Sequence, residues 1–86
     1  MRRYVLGPHF VRDFRALEAL MSPADMETFD ALLAAIVRDP ESPQRVPSFY
    51  DPIRPSWLRR ADPFLVHYAF NAERDEVAFL NLFRRR

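Results

Sequence analysis

Two apolar runs near the C-terminal end constrain the fold of this chain more than any other feature. Residues 64–70 and 77–83 consist almost entirely of aliphatic and aromatic residues, and the mainly polar segment 71–76 separates them. Runs of this length, rich in aromatic and β-branched residues, are typical of adjacent antiparallel strands joined by a short loop. A third run at 57–60 precedes them across a short turn. We therefore predict a three-stranded antiparallel meander over 57–60, 64–70 and 76–83.

The alternation of side chains predicts which residues share a face of this sheet. In the middle strand one face is expected to carry Phe64, Val66, Tyr68 and Phe70, and the other face Leu65, His67 and Ala69. In the last strand one face is expected to carry Val77, Phe79, Asn81 and Phe83, and the opposite face Ala78, Leu80 and Leu82. Both faces are therefore partly apolar. We expect helices to cover one face, and a partner chain or the proline-rich loop of residues 40–55 to cover part of the other face.

The N-terminal half predicts one strand and two helices. Residues 2–6 are short, aromatic and β-branched, and they end at the breaker pair Gly7-Pro8. From His9 the apolar residues recur at helical spacing, and Ser22-Pro23 then provides a cap and a first-turn proline for a second helix ending near Asp39. Two helices joined so tightly predict an antiparallel hairpin. The predicted fold class is therefore α+β: an N-terminal strand, an antiparallel helical hairpin, and then the three-stranded antiparallel meander, with the strands forming one sheet.

Residues 40–55 contain five prolines and predict a stiff loop that is longer than most connections. Its aromatic pair, Phe49 and Tyr50, is expected to anchor the loop to the core, in preference to contacting a ligand.

Composition limits the kinds of function that are open to the chain. Its 86 residues predict a single domain over 1–86, with no cysteine for a disulfide or a thiolate metal site, and two histidines far apart in sequence. We expect no metal, no cofactor, no membrane segment and a cytoplasmic location. The net charge of +1 argues against strong non-specific attraction to nucleic acid, yet all thirteen basic residues are arginines and some of them cluster.

The candidate site consists of arginines at strand ends around a central histidine. Arg59, Arg60, Arg84, Arg85 and Arg86 could hold a phosphate and stabilise its developing charge, while His67 or Tyr68 moves a proton in metal-free RNA cleavage. The structural alternative places Tyr68 in the core, His67 as a half-exposed strand residue and residues 84–86 in a solvated tail. No phosphate-binding glycine loop, nucleophile motif or metal-ligand motif is present in the sequence.

The order of elements resembles the RelE/ParE superfamily of bacterial type II toxins over nearly the whole chain. The residues that carry this resemblance are 4–6, 14–17, 36–40, 57–60 with 64–68, and 77–80 running into Arg84-Arg85. The resemblance implies a toxin that works with a cognate antitoxin. It implies mRNA cleavage on the ribosome for RelE-like members, and inhibition of DNA gyrase without catalysis for ParE-like members.

Carried over to this chain, the resemblance implies roles for Arg59 or Arg60 and for Arg84 to Arg86, whereas His67 is a candidate from its place in the middle strand. Together they assign catalysis to His67, Arg60 and Arg84, and RNA binding to Arg59, Arg60, Arg84 and Arg85. Leu65 departs from the pattern, because RelE-like members commonly have an arginine at that place, and no tyrosine or histidine follows the terminal arginines. Three hypotheses follow: a ribosome-dependent mRNA endonuclease, a gyrase inhibitor, and a non-toxic interaction protein of the same fold. The antitoxin is expected to lay a helix or strand along the exposed apolar surface and to mask the arginines.

Overall fold

A computed structural model describes residues 2–49 and 52–85. The elements in chain order are β1 (Arg3–Leu6), α1 (Pro8–Glu18), α2 (Pro23–Arg38), β2 (Val46–Ser48), β3 (Ser56–Ala61), β4 (Phe64–Asn71) and β5 (Glu76–Arg84).

One five-stranded sheet of order β1-β5-β4-β3-β2 organises the chain. Strands β3, β4 and β5 form the predicted antiparallel meander, and β1 joins β5 in parallel. The α+β fold class is thus confirmed. The short strand β2, which lies within the predicted loop and pairs with β3, was missed because Pro47 breaks the usual strand pattern.

The two helices begin where the sequence places their signals. Proline occupies the first turn of each helix, and at α2 the Ser22 hydroxyl accepts from the Asp25 amide while the Asp25 carboxylate accepts from the Ser22 amide. At the other end of α2, the Arg2 guanidinium donates to the carbonyls of Val37 and Arg38. This contact satisfies carbonyls that the end of the helix leaves without partners.

The core lies between the helices and one face of the sheet. Phe10 of α1 and the α2 residues Phe29, Leu32 and Ile36 are buried against six sheet residues. Those six are Phe64, Val66, Tyr68, Val77, Phe79 and Leu82. The opposite, helix-free face carries Leu58, Leu65 and His67, as register and alternation require.

A β-bulge in β5 changes which residues of that strand are buried. His67 pairs with Asn81 and the next residue, Tyr68, pairs with Phe79, so that Leu80 is an extra residue. Beyond the bulge the alternation is reversed, and Leu82 enters the core while Asn81 and Phe83 lie on the helix-free face. The predicted grouping of Asn81 and Phe83 with Phe79 was therefore wrong. The Asp13 carboxylate of α1 accepts from the Leu82 amide at 3.0 Å just after the bulge.

The proline-rich segment packs on the sheet through contacts that differ from those predicted. The Tyr68 hydroxyl donates to the Pro40 carbonyl at 2.7 Å, and the Arg45 guanidinium lies 3.6 Å from the centre of the Trp57 ring. Phe49 is 89% exposed, so the expectation that it anchors the loop was wrong, and Tyr50 lies outside the described residues. No helix within residues 2–49 and 52–85 is long and apolar enough to cross a membrane.

Candidate functional site

Three of the predicted arginines meet at one end of the sheet. A cavity of about 320 Å³, which we call the arginine cavity, is lined by Arg60, Pro63, Phe64, Leu65, Phe83, Arg84 and Arg85. Strand register explains the convergence, because Arg60 pairs with Leu65, Leu65 with Phe83, and Phe64 with Arg84. The Arg85 amide donates to the Pro63 carbonyl at 2.6 Å and holds the end of the chain against the β3–β4 turn.

Arg60 and Arg85 flank a carboxylate at the rim of the arginine cavity. Arg60 donates to both oxygens of Asp62, at 2.8 and 3.3 Å. Hydrogen bonding from Arg60 lowers the pKa of Asp62, with smaller contributions from the charges of Arg60 and Arg85. Asp62 therefore stays ionised and partly neutralises the cation that an anionic ligand would meet. The pair is exposed, so an incoming phosphate can compete for Arg60.

Arg84 reaches the arginine cavity from the helix side. Its guanidinium donates to the Asp25 carboxylate at 3.0 Å, in the first turn of α2. Hydrogen bonding from Arg84, followed by that from the Ser22 backbone, lowers the pKa of Asp25. Arg84 is thus held in place by the carboxylate that also caps α2. Arg84 is the last residue of β5 and the Arg85 amide donates to the Pro63 carbonyl, so these two residues do not form the free tail of the structural alternative. Arg86 lies outside the described residues.

Arg59 does not line the arginine cavity. It pairs with the core residue Val66 in register, and its guanidinium donates to the Gln44 side chain at 2.9 Å. Its Nη1 atom is buried and has no hydrogen-bond partner among the described residues. The adjacent Arg60 lies on the other face because neighbouring residues of a strand alternate. The two arginines, which the sequence treats as equivalent, therefore have different surroundings.

His67 lies on the helix-free face in a buried chain of hydrogen bonds across three strands. Its Nε2 atom is 2.8 Å from the Ser56 hydroxyl of β3, and its Nδ1 atom is 3.0 Å from the Asn81 side-chain oxygen of β5. The amide oxygen can only accept, so Nδ1 carries the proton and, in the neutral ring, Nε2 accepts from Ser56. His67 is only 5% exposed, not half-exposed, and it does not line the arginine cavity.

Several residues of these two sites carried no signal in the sequence. Phe83 joins the arginine cavity through strand register and Pro63 through the β3–β4 turn, and register also brings Ser56 and Asn81 to His67. Leu65 was noticed in the sequence only as a departure from the family pattern. Asp62 could have been noticed, since a carboxylate two residues from Arg60 across a turn is within reach of it. Tyr68 is fully buried in the core, and burial raises the pKa of its hydroxyl. No group of three or more metal-ligating side chains occurs within the described part of the chain.

A second, larger cavity lies elsewhere. About 650 Å³ in volume, it runs between α2 and β1 and is lined by Arg2, Tyr4, Asp30, Leu33, Ala34, Val37, Arg38, Asp75 and Phe79. We call it the β1 groove. Within the β1 groove the Arg2 guanidinium already donates to the Asp75 carboxylate at 2.7 Å and to a carbonyl at the end of α2. Arg38 is a second cation of this lining, but the other residues are mostly apolar and the carboxylates of Asp30 and Asp75 repel a phosphate. We therefore place the candidate phosphate site in the smaller arginine cavity.

Comparisons with known proteins find the same fold in solved structures of bacterial toxins. No protein-family model and no curated protein matches the sequence. A chain of the RelBE2 toxin–antitoxin complex from Mycobacterium tuberculosis matches with a TM-score of 0.74 and 14% identity over 98% of both chains. A metal-bound toxin from Helicobacter pylori matches with a TM-score of 0.74 and 11% identity, over 98% of this chain and 94% of that one. At such identities the likeness is one of fold, and the chain has the fold of RelE-like toxins.

Proposed function

We propose that this chain is the toxin of a type II toxin–antitoxin system and that it inhibits translation by cleaving mRNA on the ribosome. The observation that carries the proposal is the convergence of Arg60, Arg84 and Arg85 on one cavity at the end of the sheet. Guanidinium groups recognise phosphate through paired donors and remain charged at every physiological pH. The RelE-like fold and its occurrence in a toxin–antitoxin complex support the same proposal.

In this proposal the exposed arginines bind the scissile phosphate. Arg60 and Arg85 offer donors from two sides, and a phosphate that displaces Asp62 from Arg60 gains a bond to that guanidinium. Phe83 lies at the same cavity and is half exposed, so a nucleobase can rest on its ring. Arg84, held by Asp25, supplies a fixed positive charge near the phosphate as negative charge develops on its oxygens.

Proton transfer by His67 is still a prediction. The ring is buried and both nitrogens face protein partners, so to act on a ribose hydroxyl it would have to exchange the Ser56 bond for one to RNA. Its bonds to Ser56 of β3 and Asn81 of β5 favour a second role, in which it holds β3, β4 and β5 together. Replacing His67 by alanine separates these roles.

The antitoxin is the proposed protein partner, and the cytoplasm is the proposed location. The helix-free face presents Val46, Leu58, Leu65 and Phe83. Of these, Val46 is 57% exposed and Phe83 is 50% exposed. An apolar surface beside a cationic cavity suits a partner segment with aliphatic and acidic side chains.

The test is expression followed by a cleavage assay on programmed ribosomes. Arg85→Ala is expected to relieve growth arrest and to lower cleavage roughly tenfold to a hundredfold, because one phosphate donor is lost. Arg74→Ala is the matched control, since this exposed arginine lies in the β4–β5 loop at the opposite end of the strands and is expected to change nothing. Equal cleavage by the Arg85 variant and wild type would refute the assignment of the arginine cavity.

Inhibition of gyrase is the second candidate function. The observation that favours it is Leu65, which puts an aliphatic side chain in the arginine cavity where RelE-like nucleases commonly have an arginine. A supercoiling assay with purified gyrase separates the candidates: inhibition of gyrase with intact mRNA selects this second function. Absence of both activities and of growth arrest selects the non-toxic interaction protein.

A further inference from the structure

Among the described residues that line the arginine cavity, no side chain can accept a proton, but an adjoining opening supplies one that can. The described lining of the cavity consists of three arginines and four apolar residues. Arginine stays protonated at every physiological pH, so none of these side chains can take a proton from a ribose hydroxyl. The adjoining opening, of about 330 Å³, is lined by Arg60, Asp62, Pro63 and Arg85, and all of these except Asp62 also line the arginine cavity. The Asp62 carboxylate is therefore the one proton acceptor among the described side chains that line either space.

Asp62 occupies donors that the proposed function gives to the RNA phosphate. Its two carboxylate oxygens accept from Nε and Nη2 of Arg60, at 2.8 and 3.3 Å. A guanidinium offers the same paired donors to two phosphate oxygens, so carboxylate and phosphate compete for them. The side chain of Asp62 is 67% exposed and that of Arg60 is 54% exposed, so the carboxylate can give way to a phosphate without the loss of a buried contact.

Exchange for a phosphate makes this carboxylate a better base. Hydrogen bonding from Arg60 is the largest cause that lowers the pKa of Asp62, and the charges of Arg60 and Arg85 lower it further. Once a phosphate takes those donors and offsets the two positive charges, the pKa of Asp62 rises toward its ordinary range. The carboxylate is still ionised at neutral pH, and it then binds a proton more strongly than before. Because the side chain of aspartate is short, the carboxylate stays beside the phosphate that displaced it.

We infer that Asp62 is the general base of the proposed RNA cleavage, released for that role when the scissile phosphate takes its place on Arg60. The inference rests on the proposed function, because it assigns a residue to that same reaction. Asp62 accepts the proton of the 2′-hydroxyl, and the 2′ oxygen attacks the adjacent phosphorus from about 3–3.5 Å. The O2′–P bond forms, the P–O5′ bond breaks, and the 5′ oxygen leaves with a proton from water. The proton on Asp62 then neutralises the hydroxide that remains, and the products are a 2′,3′-cyclic phosphate and a 5′-hydroxyl.

Single-turnover cleavage on programmed ribosomes, with RNA affinity measured in parallel, tests this assignment. Asp62→Asn keeps the shape of the side chain but removes the basic carboxylate, so we expect cleavage to fall at least about a hundredfold. The same variant should bind single-stranded RNA about threefold more tightly at low salt, because Arg60 is released and a negative charge is removed. Loss of cleavage together with a gain in affinity does not arise from unfolding.

Asp75→Asn is the matched control for this substitution. Asp75 is also an exposed carboxylate paired with an arginine, since Arg2 donates to it at 2.7 Å, but it lies in the β4–β5 loop and lines neither the arginine cavity nor the adjoining opening. We expect this variant to cleave like wild type. Equal losses of cleavage in Asp62→Asn and Asp75→Asn would overturn the inference, because they would trace the effect to net charge.

An mRNA with sulfur in place of the 5′-bridging oxygen at the cleaved bond separates a base from an acid. The thiolate leaves without needing a proton, so this substrate restores cleavage to a variant that lacks the acid but not to one that lacks the base. We expect the deficit of Asp62→Asn to persist within about threefold on this substrate. Restoration of the wild-type rate would make Asp62 an acid and overturn the inference, and so would wild-type cleavage of ordinary mRNA by Asp62→Asn.

Arg85→Ala keeps the fate of this inference separate from that of the proposed function. If Arg85→Ala lowers cleavage and Asp62→Asn does not, the arginine cavity remains the cleavage site and only the choice of base is wrong. If Arg85→Ala cleaves like wild type, or if the wild type does not cleave mRNA, the proposed site fails and the role of Asp62 fails with it.

Discussion

Replacing His67 by alanine separates a positioning role from proton transfer. In the wild type the imidazole links Ser56 to Asn81 through bonds of 2.8 and 3.0 Å, and His67 and Ser56 are each only 5% exposed. Alanine leaves the Ser56 hydroxyl buried without this partner, at about 1–3 kcal/mol, and removes the bond to Asn81, at about 1 kcal/mol. The space left by the ring adds about 1 kcal/mol or more.

The expected loss in the free energy of unfolding is therefore about 3–5 kcal/mol, a large share of the stability of a small domain. Urea unfolding followed by the fluorescence of Trp57, the one tryptophan in the chain, measures it. Ser56→Ala should cost less, because the imidazole still has its Asn81 bond and only one buried group loses its partner.

Cleavage is compared per folded molecule, at a temperature at which the variant is mostly native. We expect His67→Ala to cleave within about threefold of wild type after this correction, since the residue does not line the arginine cavity. A variant as stable as wild type would refute the hydrogen-bond reasoning. A fully folded variant that cleaves about a hundredfold more slowly would instead assign proton transfer to His67.

Three other substitutions test the surroundings of the site. Asp62→Asn should raise the affinity for a single-stranded RNA oligonucleotide about threefold at low salt, because it frees Arg60 and removes a negative charge that repels the RNA phosphates. An unchanged affinity, measured by fluorescence anisotropy, would contradict this prediction. Gly7→Ala should lower stability by about 1–3 kcal/mol in thermal unfolding, because its Cβ would lie 2.9 Å from the Phe79 carbonyl oxygen; equal stability would mean that β1 and β5 separate at little cost. The pKa of Asp25 lies below its ordinary value of 3.8, so the stability contributed by its ionised carboxylate is present above that pH and is lost as the pH falls through the folded-state pKa. Asp25→Asn should therefore reduce the loss of stability at acid pH, and an unaltered profile of urea stability against pH would exclude Asp25 as its source.

Local signals in the sequence predicted every helix and strand except β2, because these signals act over a few residues. Ser22 and Pro23 fix the start of α2 within one turn, and the apolar runs that became β4 and β5 are long enough to identify as strands. The ends of these apolar runs also predicted which arginines lie at strand ends. Leu82 and Phe83 show the limit: alternation is reliable only until a bulge, and the bulge at Leu80 depends on pairing with β4.

By itself the sequence determined the order of the helices and of the strands other than β2, and the set of basic residues from which a phosphate site could be made. Only the tertiary structure decided which of them meet: Arg60, Arg84 and Arg85 share a cavity, while Arg59 turns to Gln44 and His67 is buried between Ser56 and Asn81. The reason is physical. Propensity and capping are local, but a shift of one residue in strand register moves a side chain to the opposite face, and register is set by packing between distant segments.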